Sequence, residues 1–210
     1  MPSRRATLAL LAAAAASPAL GQSAARPNPM PAELRQALER DRNGIVLGNP
    51  DGDVTLTEFF DYNCPFCKKI TPTMQRLIGS DPQLRVVFRE WPVFGAGSEF
   101  AARAALAALD QGKYWQVHSS LMAMRDRAAE PSVMRVVRRV GLDEAKLRED
   151  MYSDRVEDHI ARSFMLADHM GLVGTPTLIA GDEALFGDQS FDDLKALVAR
   201  ARKTLGGAAG

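Results

Sequence analysis

Short apolar runs alternate with turn residues between Ile45 and Trp91. Ile45 to Leu47 reads as a short strand, Asn49-Pro50-Asp51-Gly52 as a turn, and Val54 to Tyr62, rich in Val, Thr, Phe and Tyr, as a second strand. From Pro65 to Ile78 the apolar residues Phe66, Ile70, Met74 and Leu77 recur at helical spacing. Pro72 is expected to kink that helix, and Gly79 with Asp81-Pro82 to end it. Leu84 to Trp91 is β-rich and apolar around Val86-Val87-Phe88. Strand, helix and strand then form a βαβ unit with parallel pairing and a buried sheet.

The pattern turns helical for a long tract. Its predicted helices are Glu99 to Asp110, Tyr114 to Met124, Pro131 to Val140, Asp143 to Met151 and Arg155 to Met170, punctuated by Gly112, Pro131, Gly141 and Gly171. Strand character returns at Thr177 to Ile179 and Ala184 to Phe186 around a Gly181-Asp182 turn, and Phe191 to Arg202 is an amphipathic helix. A small helix over Pro31 to Arg40, with Leu34 and Leu38 on one face, precedes the first strand. The order βαβ, helical insertion, ββα predicts an α/β fold with a mixed sheet covered by helices on both faces.

The beginning of the chain belongs to a different class. Arg4 and Arg5 form a basic start, Ala6 to Ala16 an apolar run, and Ser17-Pro18-Ala19-Leu20-Gly21 a small-residue exit region, which together read as an export signal over residues 1–22. The run is too short to span a bilayer, which takes roughly 20 apolar residues, and the mature protein is expected to be soluble. Ser3-Arg4-Arg5 is compatible with both general and twin-arginine export. With 26 basic and 26 acidic residues the net charge is zero, so no global field draws in nucleic acid or an anionic membrane. A 46% hydrophobic composition is ample for a packed core.

Export changes how the two cysteines are read, because secreted domains that depend on disulfides for stability carry several spaced pairs. Here both cysteines lie in Cys64-Pro65-Phe66-Cys67, where a strand ends and a helix begins. Unsatisfied amides and the positive end of the helix dipole favour a thiolate at Cys64. Cys64 is therefore the candidate nucleophile. Pro65 suits the first helical turn, and Cys67, one turn inside, is placed to resolve a mixed disulfide formed by Cys64. As a mere staple, so small a loop stabilises little. Zinc would need further ligands, and His118, His159 and His169 are scattered, so no metal is expected. His118 reads as a packed or surface histidine without a role.

Alternation places Val54, Leu56, Glu58 and Phe60 on one face of the central strand, which puts the Glu58 carboxyl among apolar neighbours. Burial raises a carboxyl's proton affinity, which makes Glu58 a candidate for proton exchange with Cys67. Far downstream, Val173-Gly174-Thr175-Pro176-Thr177 puts a proline just before a strand, where a cis bond is one route to a tight entry.

Glu58-Phe59-Phe60-Asp61-Tyr62-Asn63 leading into Cys64-Pro65-Phe66-Cys67, together with Gly174-Thr175-Pro176, resembles the DsbA-like family of the thioredoxin superfamily over roughly Ile45 to Leu205. Ala101-Ala102-Arg103-Ala104-Ala105 and Gly112-Lys113-Tyr114-Trp115 resemble the insertion of its ScsC-like and Com-type exported members. The resemblance implies a thioredoxin-like fold with an inserted all-helical subdomain. It implies that Cys64 attacks and Cys67 resolves, and that the two cycle through a Cys64–Cys67 disulfide. It also implies that Pro176 is cis beside that disulfide, that Thr175 pairs with substrate backbone, and that Glu58 stands at the family's buried acid. Pro65, Phe66, Thr175 and Pro176 would contact substrate. Two departures matter: Phe66 replaces the histidine of the strongest oxidases, and Thr175 the valine usual before their proline.

The expected organisation is a signal peptide at 1–22, a tether and short helix at 23–44, a first thioredoxin-like part at 45–97, a helical insertion at 98–172, a second part at 173–205 and a disordered tail at 206–210. The expected function is disulfide exchange in the periplasm with unfolded or cysteine-containing exported proteins. It would use no cofactor beyond the redox-active disulfide and would be recycled by a DsbB-like or DsbD-like membrane partner, with no nucleic acid involved. Oxidation is favoured. Isomerisation or reduction on the same fold, and a non-catalytic chaperone or copper-handling role, are the alternatives.

Overall fold

The computed structural model describes residues 29–206. The expected signal peptide, most of the tether and residues 207–210 of the expected tail lie outside them. Five strands, β1 (Ile45–Gly48), β2 (Val54–Phe60), β3 (Leu84–Glu90), β4 (Thr177–Ala180) and β5 (Glu183–Phe186), form one mixed sheet in the order β1-β3-β2-β4-β5. β2 and β3 are buried along their whole length and pair in parallel, with Glu58 opposite Phe88 and Phe60 opposite Glu90. Strands covered on both faces need continuous apolar runs, which is what Val86-Val87-Phe88 and Phe59-Phe60 supply. β1 and β4 pair antiparallel with β3 and β2, and β4 and β5 make a hairpin.

Alternation divides β2 and β3 between two faces. The even-numbered residues Leu56, Phe60, Val86 and Phe88 join a core with α2 (Pro65–Ser80) and the C-terminal helix α8 (Phe191–Gly206). That core continues without a break through α3 (Ala96–Ala107), α4 (Tyr114–Met122), α5 (Glu130–Val140) and α6 (Glu144–Asp150). The inserted helices thus share the hydrophobic interior of the sheet. On the opposite face Phe59 and Ile179 pack with Leu38 of α1 (Ala32–Glu39) and Leu166 of α7 (Asp154–His169).

Two arginines on that second face have partners. Arg89, fully buried on β3, donates to Asp41 at 2.8 Å and to the carbonyls of Ala37 and Leu38 at 2.8 and 2.9 Å, while Arg85 donates to the Glu39 carbonyl. The end of α1 therefore presents its free carbonyls to two guanidinium groups, which satisfies acceptors that a helix C-terminus otherwise leaves open.

Several boundaries differ from the sequence pattern. β2 stops at Phe60 because the Asp61 side chain accepts the Asn63 N–H and its carbonyl accepts the Cys64 N–H, a turn that strand propensity does not register. The first inserted helix begins at Ala96, after Gly95 at φ 89°, and closes in a 3-10 turn over Ala108–Gln111. α2 runs from Pro65 to Ser80 as one helix with Pro72 inside it, and the Thr71 hydroxyl bonds back to the Cys67 carbonyl at 2.8 Å. α8 also extends to Gly206, which the sequence pattern left in the tail.

Candidate active site

The turn that ends β2 also aims the cysteines. Asp61 is buried, and its carboxylate accepts from the Asn63 N–H at 2.6 Å, the Ser98 hydroxyl at 2.7 Å and the Phe94 N–H at 3.0 Å. Asn63 reaches the other way, accepting the Ala128 N–H at 2.7 Å and donating to its carbonyl at 3.1 Å. The residue before Cys64 is thus clamped between α3 and the segment that leads into α5. Cys64 then takes the N-cap position of α2 with extended backbone, and Pro65 occupies the first helical turn, where a missing N–H costs nothing.

Both cysteines are present as free thiols. Cys64 is 1% exposed, and its thiol donates to the Thr175 carbonyl at 3.2 Å. A hydrogen bond from the Cys67 thiol pulls the Cys64 pKa down to about 6, and the Thr175 side chain and the Cys67 and Phe66 amides act in the same direction against burial. Cys67 is pushed strongly up by burial, by its bond to Cys64 and by the charges of Glu58 and Cys64. One thiol is held ready to ionise and the other is held protonated, an asymmetry suited to attack followed by resolution.

Glu58 is 3% exposed on the same face of β2 as the cysteine-bearing helix. Burial first, then the negative charge of Cys64 and of Glu90, push its pKa up to about 8, with no hydrogen bond from the described residues to offset them. The Thr175–Pro176 peptide is cis, both residues are buried, and the Thr175 hydroxyl has no hydrogen-bond partner among the described residues. Gly174 permits a close approach, since a Cβ there would meet the ring of Phe186 at 3.1 Å. Around this floor Phe66, at 54% exposure, and the side chains of Pro65, Phe94 and Phe186 face solvent.

The structure therefore brings together Cys64, Cys67, Glu58 and Thr175, with Pro176 below and Phe66 on the rim. His118 is buried among Phe60, Tyr62, Phe88, Tyr114 and Trp115 and is pushed by burial to about 4, a neutral packed ring. Sequence reasoning passed over Asp61, whose side chain organises the turn, and Glu90. Alternation along Leu84, Val86, Phe88 and Glu90 carried the same signal that singled out Glu58. No cluster of three or more side chains able to hold a metal ion occurs among the described residues.

A family profile described as a DSBA-like thioredoxin domain matches residues 55–199. The chain belongs to that family. A thioredoxin-like oxidoreductase from Silicibacter pomeroyi DSS-3 is 49% identical, with a TM-score of 0.79 over 80% of this chain and 98% of that one. The thiol-disulfide exchange protein alpha-DsbA2 from Wolbachia pipientis is 28% identical, with a TM-score of 0.74 over 80% and 91% of the two chains. Among curated proteins, the Na(+)/H(+) antiporter NhaA 3 of Salinispora tropica is 30% identical over 171 residues, which make up 80% of this chain and 26% of the antiporter. The chain thus spans about a quarter of the length of that relative. No helix among the described residues is long and apolar enough to cross a membrane.

Proposed function

We propose that this chain is an exported dithiol–disulfide oxidoreductase acting on unfolded or cysteine-containing proteins in the periplasm. The observation that carries the reading is the asymmetry of the pair: Cys64 at a helix N-terminus, pulled down to about 6, with Cys67 behind it held as a thiol. A Cys64 thiolate attacks or leaves readily at neutral pH. Cys67 closes or opens the internal disulfide, and Glu58 is the carboxyl placed to move its proton. The exposed Phe66 offers apolar contact to an extended substrate, and the backbone of Thr175 offers it hydrogen bonding. No bound cofactor is needed, since the two sulfurs carry the electrons. A membrane redox partner of the DsbB or DsbD kind would reset them.

Oxidation is the direction we favour, because a stabilised Cys64 thiolate makes the dithiol form the better product. Phe66 and Thr175 favour a second reading, isomerisation or reduction, since without a histidine beside Cys64 one source of thiolate stabilisation is absent. A reduction potential nearer about −120 mV than about −270 mV supports oxidation, and the reverse supports reduction. The function itself is tested by insulin reduction and by oxidative refolding of a reduced disulfide protein. Cys64→Ser should lower both rates by at least about 100-fold. Full activity in that variant would overturn the assignment.

A further inference from the structure

Glu90 ends β3 on the same face of the sheet as Glu58, on the adjacent strand, and is 1% exposed. Unlike Glu58 it is held from several sides. The Tyr114 hydroxyl donates to Oε1 at 2.6 Å, the Tyr62 hydroxyl lies 3.5 Å from the same oxygen, and His159 Nε2 lies 2.7 Å from Oε2. His159 Nδ1 meets the Asn43 carbonyl at 2.7 Å, and a carbonyl only accepts, so Nδ1 carries a proton. The Glu90 N–H donates to His159 Nε2 at 3.3 Å, so the imidazole touches both the backbone and the carboxyl of Glu90.

We infer that Glu90 is a positioning residue for disulfide exchange: held as a carboxylate by Tyr114 and His159, it fixes the neighbouring Glu58 as the carboxyl that keeps its proton beside Cys67. The inference rests on the exchange reading above and adds a second acid to it. Every titratable group facing the pair fits this division. From the N-terminal end of α2 come Cys64 and Cys67; from the turn after β2, Tyr62; from α4, Tyr114 and the neutral His118; from α7, His159. Burial works against ionisation of Glu90, yet the charge and hydrogen bond of His159 and the bond from Tyr114 hold it below the usual carboxylate range. The charge of Glu90 then adds to burial and to Cys64 in keeping Glu58 protonated. Two like charges on one buried face do not both form, and the partners decide which does.

The proton has a defined use when a substrate dithiol is oxidised. A substrate thiolate attacks Sγ of Cys64 in the disulfide form. The new sulfur–sulfur bond forms as the Cys64–Cys67 bond breaks, and Cys67 leaves with the electron pair and takes the proton of Glu58. A second substrate thiolate then displaces Cys64 as a thiolate. The substrate dithiol has become a disulfide, the protein disulfide a dithiol, and Glu58 regains its proton from solvent. In reduction the same steps run backwards.

The test measures the Glu58 carboxyl directly, by carbon-13 NMR titration of the dithiol protein, alongside single-turnover oxidation of a dithiol peptide from pH 4 to pH 9. Glu90→Gln should move both midpoints to lower pH by about one unit. Glu90→Asp, which keeps the charge, should restore them. The shift in exchange should vanish when Glu58→Gln is already present. Tyr114→Phe, a gentler change should Glu90→Gln fold poorly, should move both midpoints the same way by a smaller amount. Unmoved midpoints in Glu90→Gln, or an equal shift of the exchange profile in the Glu58→Gln background, would overturn the inference. A wild-type protein that exchanges no disulfides would remove the exchange reading instead, and the carboxyl titration would still decide which of the two acids holds the proton.

Discussion

The two faces of the central sheet both bury charge, and they treat it in opposite ways. On the α1 and α7 face, Arg89 meets Asp41 and two helix carbonyls, and Arg85 meets a third. On the cysteine face, Glu58 faces a thiolate and a second carboxylate, with no hydrogen bond from the described residues. Burial makes an unpaired charge costly, so a compensated group stays ionised and an uncompensated one holds its neutral form. The first arrangement stabilises a fold; the second stores a proton. Lack of a partner alone does not mark function, since the Thr55 and Thr57 hydroxyls are also unpartnered on the α1 and α7 face. What distinguishes Glu58 is that its unpartnered group titrates beside a reacting sulfur.

The most direct way to break the comparison is to remove the compensated charge. Arg89→Met leaves Asp41 buried against an apolar side chain and frees two carbonyls of α1. Breaking one side of a buried, hydrogen-bonded pair costs about 3 to 5 kcal/mol, read as a lower urea midpoint. The pH profile of disulfide exchange should not move. A variant whose profile moved by a full pH unit would show that the two faces are electrostatically continuous and that Arg89 belongs to the site.

Legibility in the sequence follows the same division. The strand–helix–strand unit, the Cys64 and Cys67 pair and the Glu58 face could be read because period-two alternation and helical spacing are local properties of the chain. Glu90 was equally accessible to alternation, but its meaning depends on Tyr114 and His159, which reach it from helices 24 and 69 residues away. Asp61 was hidden for another reason. It sits at the end of a run of strand-forming residues, and its turn is set by its own side chain and by Ser98. The partners of Arg89 lie at the end of α1 and just after it, 48 to 52 residues earlier, and the sequence pattern offered no reason to join them. Pairwise compensation over long separations is what the chain conceals.

Removing the uncompensated acid should have the opposite sign. The Glu58 pKa is about 8 in the fold against 4.5 for the free group. Below pH 4.5 both folded and unfolded states carry the proton, and the residue costs nothing. As pH rises from there towards 8 the unfolded chain ionises while the fold does not, so the wild type loses stability at up to ~1.4 kcal/mol per pH unit. Glu58→Gln, neutral at every pH, should match the wild-type dithiol protein at pH 4 and exceed it at pH 8 by on the order of 4 kcal/mol, while exchanging disulfides more slowly. Urea unfolding at the two pH values measures the gap. A gap of the same size at both would mean that Glu58 carries no stored proton.

The smallest expected effect sharpens the comparison on the cysteine face itself. In the dithiol form the Thr175 hydroxyl is buried and unpartnered, beside the sulfur whose proton goes to the Thr175 carbonyl. When Cys64 ionises that proton leaves, and the hydroxyl gains an acceptor. Thr175→Val removes the donor with little change in shape. A hydrogen bond to a charged group contributes about 1.5 kcal/mol at the lower end, so the pH midpoint of Cys64 alkylation should rise by about one unit from its value of about 6. The sign is fixed by the chemistry, since a lost donor destabilises the thiolate and leaves the thiol unchanged. An unmoved midpoint would assign the acidity of Cys64 to Cys67 and the helix terminus alone. Thr175 would then join Thr55 and Thr57 as a buried hydroxyl that the fold merely tolerates.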